Sequence, residues 1–280
     1  ATTEPLNDGA FLGDGNQAGG LGLGTWSQIQ NGVPLVPANN EADVSDGGLT
    51  FTDGGSNVLP VAGNAWVRRN RVGQIATSSP VDSGATSALS ADNTTFWMTF
   101  LYQDLGFSGP DFGIGLASEN MIGNDNQSLV VAGVGVGFGI NTTSGPARAI
   151  SALYYDNSAD FTRVTEATAT FDGPGSSAVL LLAMKVEWNP EGTDDVISVY
   201  NVTDLTTEPT VALATATVDF SLAEQQSLDV FNISETQVAF VDEVRVATTF
   251  AEAVGANAIP EPGSLGLLAL SGLLFARRRR

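Results

Sequence analysis

The chain has 280 residues, enough for one sizeable domain, and carries 31 acidic residues against 11 basic ones for a formal net charge of −20. Cysteine and histidine are both absent, which excludes disulfides, thiolate chemistry, imidazole metal sites and any Ser-His-Asp or Cys-His mechanism. Setting aside four arginines at the carboxyl terminus leaves 31 acidic residues against 7 basic ones, a net of −24; such a surface repels a phosphate backbone, so nucleic acid is not an expected partner.

The chain opens at Ala1 without a charged segment followed by an apolar one, and since export requires such a leader, we expect one already removed. The first 65 residues are rich in Gly and Asn, with weaker strand signals over 25–30 and 48–51. They read as the opening strands and long loops of the same domain. From there β-branched and aromatic runs alternate with Gly, Asn, Asp, Ser and Pro clusters, predicting strands over 94–101, 111–116, 129–140, 149–155, 162–171, 178–188, 196–202, 211–218 and 237–247. Within this series Gly113 and Gly115, and Gly133, Gly135, Gly137 and Gly139, alternate with apolar residues. Period two leaves one face of each strand bare, so the two strands predict a hairpin with a smooth face, covered by an aromatic such as Trp97 or Phe100 or offered as a flat platform. Core packing is the preferred reading, because strand glycine is costly unless something packs closely on it. Helix is confined to short pieces over 221–226 and 249–254, the second with Thr249 and Glu252 at capping-box spacing. Residues 255–259 read as a linker, which bounds the body at 1–254.

Oxygen-rich loops offer hard ligands: Asp14 and Asn16 with Gln17, then Asp43 and Asp46, then Asp125 between Asn124 and Asn126. Calcium accepts such sets, although Asp, Asn and Gly also make turns for their own backbone reasons. Trp66 precedes Arg68, Arg69 and Arg71, a combination suited to stacking on and clamping an acidic sugar, or to pairing with the chain's own acids. Tyr154, Tyr155 and Trp97 are candidates for a sugar groove, with core packing as the ordinary use of strand aromatics. For glycoside hydrolysis two carboxyl groups must sit ~5 to 5.5 Å apart in a retaining enzyme. Glu41 and Asp43 are followed by Ser45 where a further carboxylate is needed, and Asp242 and Glu243, being adjacent, are expected on opposite strand faces. No catalytic residue is assigned.

The terminus is built from three unlike parts: Pro260-Glu261-Pro262, an apolar stretch over 264–276 with Leu265, Leu267, Leu268, Leu270, Leu273, Leu274 and Phe275, and then Arg277, Arg278, Arg279 and Arg280. A helix over 264–276 reaches only ~20 Å at ~1.5 Å per residue, short of the ~30 Å hydrocarbon layer. Snorkelling arginines extend that reach and mark the cytoplasmic side, leaving the body outside the inner membrane. This order of parts resembles the PEP-CTERM sorting signal of Gram-negative bacteria. The resemblance implies export, recognition by an exosortase, removal of the tail, and delivery to the cell surface or extracellular space, commonly in exopolysaccharide-making bacteria.

Residues 180–188 and 196–200, with Gly192-Thr193-Asp194-Asp195 between them, resemble a hairpin of laminin-G-like, concanavalin-A-like jelly rolls. The run from Val241-Asp242-Glu243-Val244-Arg245 to Phe250 resembles the closing strand and helical turn of the same group. The expected architecture is therefore all-β, a two-sheet antiparallel jelly-roll sandwich plus a short carboxyl-terminal hydrophobic helix over 264–276 within the sorting segment 260–280. The expected role is a non-catalytic surface protein associating with polysaccharide, with no cofactor unless structural calcium. A self-associating structural protein and a laminarinase-like glycoside hydrolase are the alternatives.

Overall fold

The computed structural model describes residues 27–30, 33–34, 42–44, 47–61, 65–68, 75–80, 89–104, 112–119, 133–142, 148–156, 164–171, 178–235 and 239–255. In chain order the strands are β1 (Ser27–Gln30), β2 (Val33–Pro34), β3 (Ala42–Val44), β4 (Trp66–Arg68), β5 (Ile75–Pro80), β6 (Thr95–Asp104), β7 (Phe112–Ala117) and β8 (Val134–Thr142). There follow β9 (Arg148–Asp156), β10 (Val164–Phe171), β11 (Leu180–Glu187), β12 (Asp195–Val202), β13 (Ala214–Val218), helix α1 (Leu222–Gln226), β14 (Val230–Glu235), β15 (Ala239–Ala247) and helix α2 (Phe250–Ala253). They form two antiparallel sheets, an eight-stranded one ordered β10-β9-β8-β7-β14-β5-β1-β2 and a seven-stranded one ordered β13-β12-β11-β6-β15-β4-β3. Neighbours such as β14 beside β5 and β15 beside β6 come from distant parts of the sequence, and the chain changes sheet at each of these crossings. This is a two-sheet jelly roll.

Strand β6 explains why the sheets stack. Phe96, Met98, Phe100 and Tyr102 enter the core between the sheets, while Trp97 and Leu101 enter a second apolar cluster on the other face. Period two divides an apolar run, interrupted by Thr99, between two interiors, so both faces of the strand must be covered. Across the first interface Phe100 meets Phe138 edge-on at 5.3 Å and Phe112 at 5.7 Å, joining the two sheets through aromatic contacts. The second cluster is roofed by Leu49 and Leu59 of the 47–61 segment, Leu205, and Phe250, Ala253 and Val254 of the carboxyl-terminal turn.

The glycine strands pair as expected, Gly113 with Gly139 and Gly115 with Gly137, while Phe112, Ile114, Leu116, Val136 and Phe138 face the core. The cover differs from the expectation. Phe100 lies on the side-chain-bearing face and Trp97 belongs to the other sheet's outer cluster, whereas Tyr155, opposite Gly135 in the register, is the ring beside it. Gly135 is where that close approach shows, since an added Cβ there would lie 3.2 Å from Tyr155 Cδ2. Tyr155 and Trp97 are each 1% exposed, so neither ring lines a sugar groove. Both predicted helical pieces form, and Ser221 and Glu224 complete a reciprocal capping box at the start of α1.

Two readings of the sequence are corrected. Residues 48–51 form no strand; only Thr52 bridges Val58, and the segment instead lays Leu49 and Phe51 against the outer cluster. Strand β14 was not predicted because its outward positions include Asn232 and Ser234, yet it runs through the eight-stranded sheet between β7 and β5 with both residues buried.

Glycine at 115 is a steric requirement: an added Cβ would lie 2.2 Å from the Val136 carbonyl oxygen, whereas one at Gly54 meets nothing within 4 Å. Gly115→Ala is expected to cost about 1–3 kcal/mol or more by overpacking, and Gly54→Ala to stay within about 0.5 kcal/mol of the parent, by urea denaturation. Equal midpoints would refute the close packing described for β7 and β8.

Candidate functional site

The roof over the seven-stranded sheet is fastened by carboxylates. Asp53 sits at a tight turn in which Ser56 takes a left-handed φ of 66°. Its Oδ1 accepts from the backbone N–H groups of Gly55 (2.9 Å) and Asn57 (2.8 Å), and its Oδ2 from Asn57 Nδ2 and the Leu205 N–H, both at 2.9 Å. The Leu205 N–H foremost, and the Asn57 amide after it, hold this carboxyl below the ordinary range. Asp204 is lowered as well, chiefly by the Thr206 hydroxyl that donates to it at 2.6 Å. The loop over 53–57 is thereby tied to the one over 203–206.

Asp242 makes the second clamp, reaching across 193 residues of sequence to accept from the Leu49 N–H at 2.6 Å, with the Glu243 N–H on its other oxygen at 2.8 Å. Burial pushes this carboxyl up against the opposing pull of those two donors. The pairing of β15 with β6 slips between Asp242 and Arg245, and Glu243 there has φ +50°. The bulge overturns the expectation that adjacent carboxylates face apart: Asp242 holds the roof at Leu49, and Glu243 pairs at 2.7 Å with Arg245, whose guanidinium also donates to the Pro60 carbonyl of the roof. Alternation fails where an extra residue is inserted into the strand.

The chain then turns back over the same sheet through α2. Thr249 caps it, Phe250 packs against Trp97 at 5.2 Å, and Thr99 donates its hydroxyl to the Ala253 carbonyl at 2.9 Å. Lys185 stands 5.6 Å over the Trp97 ring and pairs with Glu187 at 3.1 Å and Glu208 at 3.3 Å. Burial disfavours its charge, but the two carboxylates outweigh that and raise its pKa.

Another carboxylate, Asp195, is fully buried beside α1 and accepts from the Asn189 N–H (2.7 Å) and the Phe220 N–H (3.0 Å), with Gln225 Nε2 at 3.4 and 3.5 Å. Burial raises its pKa, and nearby Asp219 adds to the effect. These carboxylates are occupied by donors of their own chain. Among the described residues no group of three or more acidic side chains is placed to hold a metal ion.

Of the residues singled out from the sequence, Asp43 lies on β3 and Trp66 and Arg68 on the adjoining β4, at one margin of the seven-stranded sheet. The register sets Asp43 opposite Val67, between the pairs Ala42–Arg68 and Val44–Trp66. Thus one proposed calcium ligand and part of the proposed glycan clamp come from neighbouring strands. Asp14, Asn16, Asp46, Asp125, Arg69 and Arg71 lie outside the described residues, as do Pro260, Glu261, Pro262, the apolar run and the arginines. Sequence reasoning missed the clamping roles of Asp53 and Asp242. An Asp-Gly-Gly turn signal marks the first, whereas nothing local marks the second, because its partner is so distant.

Gly255, at the end of the last described turn, lies three residues before a segment that matches a known family. Residues 258–280 are a PEP-CTERM protein-sorting motif. The motif signals an exported, exosortase-processed surface protein. No helix among the described residues is long and apolar enough to cross a membrane. No curated protein matches the chain. Among solved structures it is similar to the legume lectin-like domain from Entamoeba histolytica, with 10% identity and a TM-score of 0.41 over 71% of this chain and 88% of the other. It is similar also to the CBM2 module of the Lactobacillus casei BL23 phage J-1 evolved Dit (12%, TM-score 0.36, 82% and 93%) and to alginate lyase A1-II' (10%, 0.35, 80% and 94%). The fold assignment stands on the strand order and register above.

The clamps carry opposite pH signatures. Asp242 and Asp195 hold a proton more firmly folded than unfolded, so their contribution to stability falls as pH rises from about 4 through their raised values. Asp53 and Asp204 hold theirs less firmly, and their contribution disappears as pH falls below about 4. In thermal unfolding followed by circular dichroism, the deficit of Asp242→Asn is expected to shrink as pH rises above about 4, and that of Asp53→Asn to shrink as pH falls below it. A deficit that is flat with pH in either variant refutes the assignment for that residue.

Proposed function

We propose that this chain is a non-catalytic surface protein, held at the inner membrane by its apolar tail until an exosortase removes the tail, whose β-sandwich then associates with glycan in the envelope or extracellular matrix. The sorting motif at 258–280 carries this reading. The non-catalytic reading draws on four carboxylates among the described residues, Asp53, Asp195, Asp242 and Glu243, each engaged by donors of its own chain. A general acid or nucleophile needs a carboxyl group free to reach a glycosidic oxygen or anomeric carbon. Glycan contact is assigned to the margin formed by β3 and β4, where Trp66 and Arg68 lead into Arg69 and Arg71, with Asp43 and, from the loops, the carboxylates of Asp14, Asp46 and Asp125 and the amide oxygen of Asn16 as proposed calcium ligands.

A second reading, self-association into a surface layer, is favoured by β13. This strand ends the seven-stranded sheet, contains no charged residue or proline, and pairs with β12 without a register shift. Its counterpart β10, which ends the other sheet, has Glu166 at a shift in pairing. Uncharged, regular outer strands are the ones that invite another strand.

Tail-free protein on an array of acidic and neutral glycans, with calcium or a chelator, separates the two. Retention of acidic glycans that is lost in an Arg68→Ala, Arg69→Ala, Arg71→Ala variant is the expected result. Indifference to the triple substitution sinks the glycan assignment. Silence on the array, with sedimentation showing oligomers that Thr215→Lys plus Thr217→Lys disperses, favours the layer. Reducing-sugar release from a β-glucan is expected to be nil, and release abolished by Glu243→Gln or Glu41→Gln would establish the hydrolase instead.

A further inference from the structure

The position at which the folded body hands over to its sorting tail is fixed. Gly255 donates its N–H to the Glu252 carbonyl at 2.9 Å and takes a left-handed φ of 72°, and a Cβ there would lie 2.7 Å from Arg245 Nη1 and 3.6 Å from Pro60 Cγ. Its predecessors Ala253 and Val254 are 0% and 2% exposed within the outer cluster. Only residues 256–259 separate Gly255 from Pro260. The apolar stretch itself begins only at Ser264, nine residues beyond Gly255; at ~3.3–3.6 Å per residue the fully extended reach is about 31 Å, and a flexible chain of that length averages about 17 Å. A folded body of this size has a radius of gyration of about 18 Å and is roughly 45 Å across. Even fully extended the tether is shorter than the body is wide, and its average length is far shorter, so the body does not turn its far side to whatever holds the tail.

We infer that the roofed outer face of the seven-stranded sheet, around Gly255, is the surface apposed to the bilayer while the tail is uncut, and that the eight-stranded sheet faces away. The inference rests on the membrane-held precursor proposed above and adds its orientation. The partner is a lipid surface. More slack requires peeling α2 from the sheet, which parts Phe250 from Trp97 and breaks the Thr99–Ala253 hydrogen bond. An exosortase therefore meets its cleavage segment with this face of the folded body beside it. Because the constraint is a covalent length, salt does not abolish it, whereas an electrostatic orientation of so acidic a body would change with ionic strength.

The absence of cysteine makes single labels unambiguous. Thr50→Cys and Ala251→Cys place a fluorophore at exposed positions on the roof and α2, and Glu119→Cys and Asp229→Cys place it at exposed positions flanking β7 and β14 of the eight-stranded sheet. Full-length chain is reconstituted into phosphatidylethanolamine–phosphatidylglycerol vesicles containing lipid with a spin-labelled headgroup. Quenching is expected to be several-fold stronger for the first pair than for the second, in low and in high salt. Insertion of about twenty Gly/Ser residues after Ala256 is expected to erase the difference. Equal quenching of both pairs at native linker length overturns the orientation and leaves the membrane-held precursor intact. Failure of the full-length chain to float with vesicles overturns the precursor reading, and the orientation with it.

Discussion

Both faces of the seven-stranded sheet must be kept dry over its central strands. These carry apolar side chains on alternate and intervening positions alike, as in β6, with Phe96, Met98 and Phe100 to one side and Trp97 and Leu101 to the other. A single partner sheet satisfies only the first set. The second set requires a roof, and the chain supplies one from three separate places: the 47–61 segment, Leu205 and the turn that ends at Val254. Burying large aromatic and aliphatic side chains is worth roughly 1.5–3 kcal/mol each, which is enough to hold irregular backbone over the sheet provided its polar groups also find partners.

Acidic side chains provide those partners, which gives the chain's charge a structural use. Irregular backbone leaves N–H groups unpaired, and carboxylates are strong acceptors for them. Asp53 takes up the N–H groups of Gly55, Asn57 and Leu205, and Asp242 that of Leu49. The two are tuned differently. Asp53 has enough donors to favour its charge, whereas Asp242 is held largely by position, and burial makes its ionisation unfavourable. The bulge at Asp242–Glu243 brings a second carboxylate and Arg245 to the same roof.

The roof also determines how the folded body meets its sorting signal. The last turn covers Trp97 and stops at Gly255, only a few residues short of Pro260. Packing that closes a hydrophobic cluster thus also sets where the tail departs. In the opposite sheet β7 and β8 meet through paired glycines, with Tyr155 beside Gly135.

Much of this was legible locally. Strand rhythm located β6 to β13 and β15, both short helices were placed, the second by Thr249-x-x-Glu252, and three unlike segments at the terminus identified the sorting motif. Each depends on neighbours a few residues away, where period and chemistry speak directly. Strand β14 was obscured because Asn232 and Ser234 look solvent-facing, although the sheet buries them. The roles of Asp242 and Leu49 were hidden by the 193 residues between them, and the shared direction of Asp242 and Glu243 by a bulge that no local pattern announces. By itself the sequence determined the all-β class, the short helices and the exported destination, because these follow from composition and from periodic or contiguous signals. Only the tertiary structure decided which acids became clamps, which aromatic ring lies beside the glycines and which face the tail leaves from, because those depend on contacts made after distant segments have met.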